Sequence, residues 1–198
     1  MNQTLKYYDE NAEKFAADTL AVDFSSTQER FLSKLPSGAV ILDFGCGSGR
    51  DTIYFLDRGY RVTAVDGSPE LCKLASAYTG IPIRQMLFRE LADTETYDGI
   101  WACASILHVP SAELPDIFRR MITALKPGGA MYVSFKYGIF EGERNDRWFT
   151  DFTEEAFAAF LMQFPKLTIE DQWISADVRP GRFNERWLNV ILWKKLVQ

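Results

Sequence analysis

The chain has 198 residues, of which 47% are hydrophobic and 25% charged, and a formal net charge of −5. That is one domain of ordinary size with enough apolar side chain for a core, which excludes a disordered chain. No apolar run reaches the roughly 18 residues of a membrane span, and the acidic balance gives no general attraction for nucleic acid.

Helical and strand patterns alternate along the chain, which predicts an α/β fold. Helices are expected over residues 5–17 and 26–35, then a buried strand over 40–44. A helix that stops at Gly59 follows, and a second strand ends at Asp66. Ser68-Pro69-Glu70 is a helix start: a capping hydroxyl, a proline in the first turn and an acid facing the helix dipole. That helix closes at Gly80. Strands over 83–87 and 99–104, a helix over 111–125 and a strand over 130–137 complete the central part. Residues 138–152 read as irregular, and Thr153-Glu154-Glu155 opens a helix to about 164. The last two strands, 167–176 and 186–196, are joined through Arg179-Pro180-Gly181. With no helix between them they should pair antiparallel. Domain organisation follows: a helical cap over 1–35, a core over 36–137 and a substrate-side loop, helix and edge hairpin over 138–198.

The most informative stretch is Val40-Ile41-Leu42-Asp43-Phe44-Gly45-Cys46-Gly47-Ser48-Gly49-Arg50. A strand ends in an acid and turns through glycines into a helix, so the backbone can approach a nucleotide-like ligand closely. A dinucleotide fingerprint needs G-x-G-x-x-G. Here the glycines run G-x-G-x-G, and Arg50 stands where the third glycine of that pattern would be. Val62-Thr63-Ala64-Val65-Asp66 supplies a second apolar strand ending in a carboxylate, which can accept both hydroxyls of a ribose.

These strands, the glycine turn and the acid resemble the class I S-adenosylmethionine (SAM)-dependent methyltransferases. The resemblance covers roughly residues 36–137, including the turn Leu125-Lys126-Pro127-Gly128-Gly129. It implies a Rossmann-like, mostly parallel sheet with helices on both faces and a C-terminal antiparallel hairpin, the seven-stranded methyltransferase fold. It implies SAM as cofactor and S-adenosylhomocysteine as product. On that pattern the stretch Asp43 to Gly49, with Gly45, Cys46 and Gly47 in it, holds the amino-acid part of SAM, and Asp66 holds the ribose. Arg50, Gly67 and Ala104 join the cofactor site. The usual acid after strand three is replaced by Met86-Leu87-Phe88-Arg89-Glu90, so Phe88 is expected to pack on the adenine, with Glu90 or backbone groups reading its edge. Two further runs, Tyr7-Tyr8-Asp9-Glu10-Asn11-Ala12 and 97–109, resemble the small bacterial tellurite-resistance-type methyltransferases, although neither reads the substrate.

His108, the sole histidine, follows strand four, where ligands of such sheets sit. It is either a general base for the acceptor or a packing residue, and methyl transfer needs no base if alignment and desolvation suffice. Lys136, Arg147 and Arg179 are expected to form a cationic substrate lid, because arginine recognises carboxylate or phosphate through paired hydrogen bonds. Their alternative is a solvated, charged loop face. Tyr132-Val133-Ser134-Phe135-Lys136 spells the Y-x-x-x-K of a nicotinamide-dependent reductase, but on a strand the two side chains stand roughly 13 Å apart, and that reading fails.

Cys46, Cys72 and Cys103 lack C-x-x-C pairing and read as reduced thiols, with no metal site. The first six residues contain no apolar signal core, so a cytoplasmic location is expected. The expectation is a methyltransferase acting by direct displacement on a small-molecule acceptor, an anionic one being what the cationic lid would suit. It would work without nucleic-acid or membrane partners, as a monomer or weak homodimer. A non-catalytic SAM or S-adenosylhomocysteine binder, and an enzyme acting on RNA or protein, stay open as alternatives.

Overall fold

Residues 3–179 and 181–196 are described by the computed structural model. In chain order the elements are α1 (Gln3–Glu10), α2 (Ala12–Leu20), α3 (Ser25–Leu32), β1 (Val40–Phe44), α4 (Arg50–Asp57), β2 (Arg61–Asp66), α5 (Pro69–Thr79), β3 (Arg84–Gln85), β4 (Tyr97–Ala102), α6 (Leu114–Ala124), β5 (Leu125–Lys136), β6 (Glu141–Arg144), β7 (Arg147–Thr150), α7 (Glu154–Leu161), β8 (Leu167–Ala176) and β9 (Arg186–Lys194). A seven-stranded sheet has the order β3-β2-β1-β4-β5-β9-β8. The pairs from β3 to β5 are parallel, whereas β9 runs antiparallel to both β5 and β8. The fold is the one expected.

Strand alternation decides which face each side chain meets. In β5, Met131, Val133 and Phe135 join the core that includes α6 and α7, while Ala130 and Tyr132 face the other way, toward Phe31 of α3 and Phe55 of α4. Trp101 of β4 is fully buried in that second core and stacks on Tyr132 with ring centroids 4.1 Å apart. From β1 the chain moves outward through β2 and β3, then returns to β4 on the other side of β1. The turns leaving β1 and β4 therefore diverge at the carboxyl edge, and that divergence opens a crevice.

Four expectations need correction. The helix read over 5–17 is two helices, because the Asn11 side chain donates to the Tyr7 carbonyl at 2.8 Å, the same oxygen its own backbone N–H uses. Asparagine offers the backbone that competing bond, which is why it breaks helices. The turn expected at 125–129 is instead absorbed into β5. Tyr97 pairs with Leu125 and Gly99 with Ala130, so the Pro-Gly-Gly segment bulges between two paired stretches. Helix α6 starts at Leu114 rather than Ser111, since the Ser111 N–H and hydroxyl both donate to Glu141, at 2.8 and 2.7 Å.

Finally, the irregular segment after β5 contains a hairpin, β6–β7, turning on Asn145 and Asp146 at φ of 49° and 61°. Two consecutive left-handed residues make the tight turn that matches strand twist, and Asn and Asp tolerate that conformation best after glycine. Of the predicted hairpin link after β8, Pro180 lies outside the described residues.

The Trp101 indole N–H donates to the buried Asp51 carboxylate at 2.8 Å. Trp101→Phe removes that charge-assisted bond and part of the stacked area. Chemical denaturation is expected to show a loss of about 2–4 kcal/mol.

Candidate active site

At the carboxyl edge the end of β2 holds the turn that leaves β1. The Val65 carbonyl accepts from both Gly45 N–H and Cys46 N–H, each at 2.9 Å. One Asp66 carboxylate oxygen accepts from Gly47 N–H at 2.9 Å and the other from Ser68 N–H at 2.9 Å. Burial raises the Asp66 carboxyl, and the three backbone donors at Ser68, Gly47 and Gly67 oppose that rise.

Gly45 sits at φ +90°, and a Cβ there would lie 2.5 Å from the Ser105 Cβ, so the turns after β1 and β4 meet only because a side chain is missing. Gly49 is different: its Cβ would meet Thr79 and Ala75 of α5, so it serves helix packing.

Behind this turn lies a buried polar network. Arg50 forks onto Asp51 at 2.7 and 3.0 Å, and Asp51 also receives Gln28 at 2.7 Å and Trp101. Burial pushes Asp51 up, but Arg50 and these donors outweigh it and hold the carboxyl below its usual range. Asp43 goes the other way. It is 2% exposed, accepts from the Thr52 hydroxyl at 2.6 Å, and burial followed by the charge of Asp51 raises it to about 8. Asp43 is thus a protonated strut beneath the loop.

A cavity of about 820 Å³ opens above the turns. Its walls carry Gly45, Cys46, Gly47, Arg50, Asp66, Gly67, Phe88, Ala104 and His108, and they extend to Lys136, Arg147 and Arg179. Of the residues expected to touch a ligand, Asp43, Gly49 and Glu90 are not on this wall. Glu90 instead accepts from Leu87 N–H at 2.8 Å and closes the short helical turn over 88–90. Phe88 leans edge-on against Phe44 at 4.8 Å. Ala104 has φ +49°, a strained value for a residue with a Cβ, and its N–H donates to the Ser134 hydroxyl at 2.8 Å. Such strain collects at functional sites.

The far end of the cavity is closed by α1, the β6–β7 hairpin and the β8–β9 turn. Here the three expected cations do share one wall, but two are already neutralised. Arg179 forks onto Asp177 at 2.9 and 2.6 Å, and Lys136 reaches Asp177 at 3.3 Å and also pairs with Glu185. Asp177 is 3% exposed; burial raises it, yet Arg179 and the Trp187 indole hold it well below the carboxylate range. Arg147 differs from both. Among the described residues it has no carboxylate partner, its Nε is buried without a hydrogen bond, and its guanidinium lies over Tyr7 at 4.3 Å.

Sequence reasoning missed Tyr8, Asp51 and Asp177. Only Asp177 left a local trace: two residues before Arg179, it accepts that residue's backbone N–H at 3.0 Å, a turn pattern typical of aspartate.

Asp43 yields a pH-dependent prediction. A carboxyl raised to about 8 binds its proton in the folded state, while the unfolded chain releases it near 4. Stability contributed by this group is therefore present at low pH and lost as pH rises from about 4 to 8. Asp43→Asn retains an acceptor for Thr52 without the charge. Its melting temperature relative to the parent chain should rise steadily between pH 5 and pH 8, as read by calorimetric scans.

Comparison with known proteins agrees with this architecture. Residues 41–129 match the family described as a methyltransferase domain. A ubiquinone biosynthesis O-methyltransferase of Xanthomonas axonopodis pv. citri is 34% identical over 106 residues, 50% of this chain and 44% of that enzyme. The chain therefore spans less than half the length of that relative. The enzyme of the same description from Xanthomonas oryzae pv. oryzae aligns more widely, at 28% identity over 175 residues, 77% of this chain and 70% of the relative. Among solved structures, the 1,6-didemethyltoxoflavin-N1-methyltransferase of Burkholderia thailandensis, with 1,6-didemethyltoxoflavin and S-adenosylhomocysteine bound, superposes with a TM-score of 0.75 at 25% identity. That match covers 96% of this chain and 85% of the other. Its sheet order, its glycine turn held by Asp66 and these matches together support a class I SAM-dependent methyltransferase with SAM as its cofactor.

Proposed function

We propose that this protein transfers the methyl group of SAM to a small-molecule acceptor by direct displacement. The observation that carries the reading is the single cavity joining the Gly45–Asp66 cradle to the chamber around His108 and Arg147. At about 820 Å³ it stands near the top of the range for ligand pockets, roughly 300–1,000 Å³, and so has room for a cofactor and a small second ligand together. SAM supplies an electrophilic methyl group on a cationic sulfur. The chain's part is to hold that group and a nucleophile in line, away from water.

Asp66 presents its carboxylate at the cavity wall, where a ribose would find an acceptor, and the Gly45–Gly47 turn lines the same wall, where the amino-acid end would lie. Arg50 remains charged and lines the same region. At the acceptor end, Lys136 and Arg179 are occupied by Asp177 and Glu185, so a cationic lid made of all three basic residues is not the arrangement we favour. Arg147 is the cation that an anionic group on the acceptor would meet. The relatives act in ubiquinone biosynthesis as an O-methyltransferase and on 1,6-didemethyltoxoflavin at N1, which supports a small acceptor methylated on oxygen or nitrogen.

Calorimetric titration tests the cofactor half of the reading: SAM and S-adenosylhomocysteine should bind with measurable heat and NAD should not. Asp66→Ala removes a charged acceptor worth on the order of 1.5–3 kcal/mol, and SAM binding should weaken roughly ten- to a hundredfold. Because the same carboxylate locks Gly47 and Ser68, Asp66→Asn sets an amide donor against one of those N–H groups and should lower the melting temperature too. Heat from NAD without heat from SAM would overturn the assignment. A SAM complex that methylates RNA or protein but no small molecule would overturn the acceptor class.

A further inference from the structure

Resting on the methyltransferase reading above, we propose that Tyr8 is the residue that grips the acceptor, and that it admits only acceptors bearing an O–H or ring N–H. In this scheme His108 is the positioning residue behind it. The His108 Nδ1 lies 2.6 Å from the Trp148 carbonyl oxygen. A carbonyl has no proton to give, so Nδ1 carries the hydrogen and Nε2 of the neutral ring presents a lone pair. The Tyr8 hydroxyl lies 2.8 Å from Nε2 and donates its one proton there. Beyond that bond Tyr8 has only oxygen lone-pair density to offer, shared between the Arg147 side chain, which also hydrogen-bonds this oxygen, and the cavity whose wall these residues form.

The charged and titratable neighbours come from three elements and from the β8–β9 turn, which brings Arg179. Arg147 of β7 sits beside Tyr8, Tyr7 packs edge-on from α1 at 5.5 Å, and Asp66 ends β2. The Phe149 ring lies 4.9 Å from the imidazole and excludes water on that side. Burial, joined by Arg147, lowers His108 to about 4, although its bond to Trp148 opposes this, and burial raises Tyr8. Both are neutral at pH 7, which keeps the donor–acceptor order fixed. An acceptor O–H or N–H completes the arrangement by donating to Tyr8, which also aims its nucleophilic lone pair. A thioether would face lone pair against lone pair, and a thiol has only its weak S–H donor to give.

In the transfer step the acceptor's lone pair forms the new bond to the methyl carbon, and the electrons of the broken carbon–sulfur bond return to sulfur. The acceptor's proton passes to the Tyr8 oxygen while Tyr8's own proton passes to His108 Nε2. The resulting imidazolium, with its low affinity for the proton, releases it to solvent.

Because His108 is the sole histidine, nitrogen NMR of the ¹⁵N-labelled full-length protein reads this ring without assignment. Between pH 6 and pH 8 it should show a protonated Nδ1 and a bare, hydrogen-bonded Nε2. Tyr8→Phe should shift the Nε2 signal and leave Nδ1 in place. An imidazolium, or a proton on Nε2, overturns the proposal. The second arm offers SAM with small phenols, ring N–H heterocycles and alkyl thiols, and follows S-adenosylhomocysteine by mass spectrometry. Phenols or N–H heterocycles should be consumed. Tyr8→Phe should lower their kcat on the order of a hundredfold or more while SAM affinity stays within a few-fold. Preferred turnover of thiols, or full kcat in Tyr8→Phe, overturns it and leaves the methyltransferase reading standing. Failure of the parent protein to bind SAM overturns that reading instead, and the ring's NMR signature still decides the Tyr8–His108 order.

Discussion

The last two residues of β2 hold the whole cofactor edge in place. The Val65 carbonyl takes two N–H groups from the glycine turn, and the Asp66 carboxylate takes a third from Gly47 and a fourth from the start of α5. Four backbone donors that a ligand-binding turn would otherwise leave unsatisfied are thus paired, at a place where an orphaned donor would cost about 1–3 kcal/mol. The same carboxylate stays accessible at the cavity wall. One side chain therefore both shapes the turn and faces the cavity, and the turn arrives already shaped.

Rigidity of that turn is reinforced from behind. Arg50, Asp51, Gln28, Trp101, Thr52 and Asp43 form a buried network that joins α3, α4, β1 and β4. Two carboxyls lie close together there with a single guanidinium paired to one of them. The chain resolves the conflict by charging Asp51 and keeping Asp43 protonated, which is what two interacting acids do in a low-dielectric site. Buried polar networks of this kind specify one arrangement because a half-satisfied version is costly. Arg50 also spans the network and the cavity, with its guanidinium 4.7 Å from the Phe24 ring.

The sheet, its order and the glycine turn were legible in the sequence because local physics restricts the residues allowed there. Gly45 must lack a Cβ where two turns touch, and the strand alternation of β4 and β5 follows from having two cores. Ser68, Pro69 and Gly80 marked both ends of α5 through capping chemistry alone. The acceptor end was less readable. Lys136 looked like a ligand cation because its counter-charges, Asp177 and Glu185, are brought back by the β8–β9 turn, whereas the partner of Arg179 is local, Asp177 two residues earlier. Tyr8 and His108 are a hundred residues apart, and no periodicity links them. The β6–β7 hairpin had a local signal in Asn145-Asp146, but its short polar strands carry no hydrophobic alternation to support it.

The pairing of the N-terminal helices with this hairpin gives the site its closed form. Thr4 and Tyr8 lie one helical turn apart on α1, so they share a face. The Thr4 hydroxyl accepts the Trp148 N–H at 2.9 Å, while the Trp148 carbonyl receives His108, which in turn receives Tyr8. Both backbone groups of one β7 residue are thus tied to α1, one directly and one through the imidazole. Leu5 of α1 meanwhile occupies the space a side chain at Gly67 would need, and Phe15 of α2 does the same at Gly47. The helices that roof the cofactor cradle are therefore the helices that fix the acceptor chamber. Any rearrangement of α1 that uncovers the cradle must also break the Trp148 and His108 bonds.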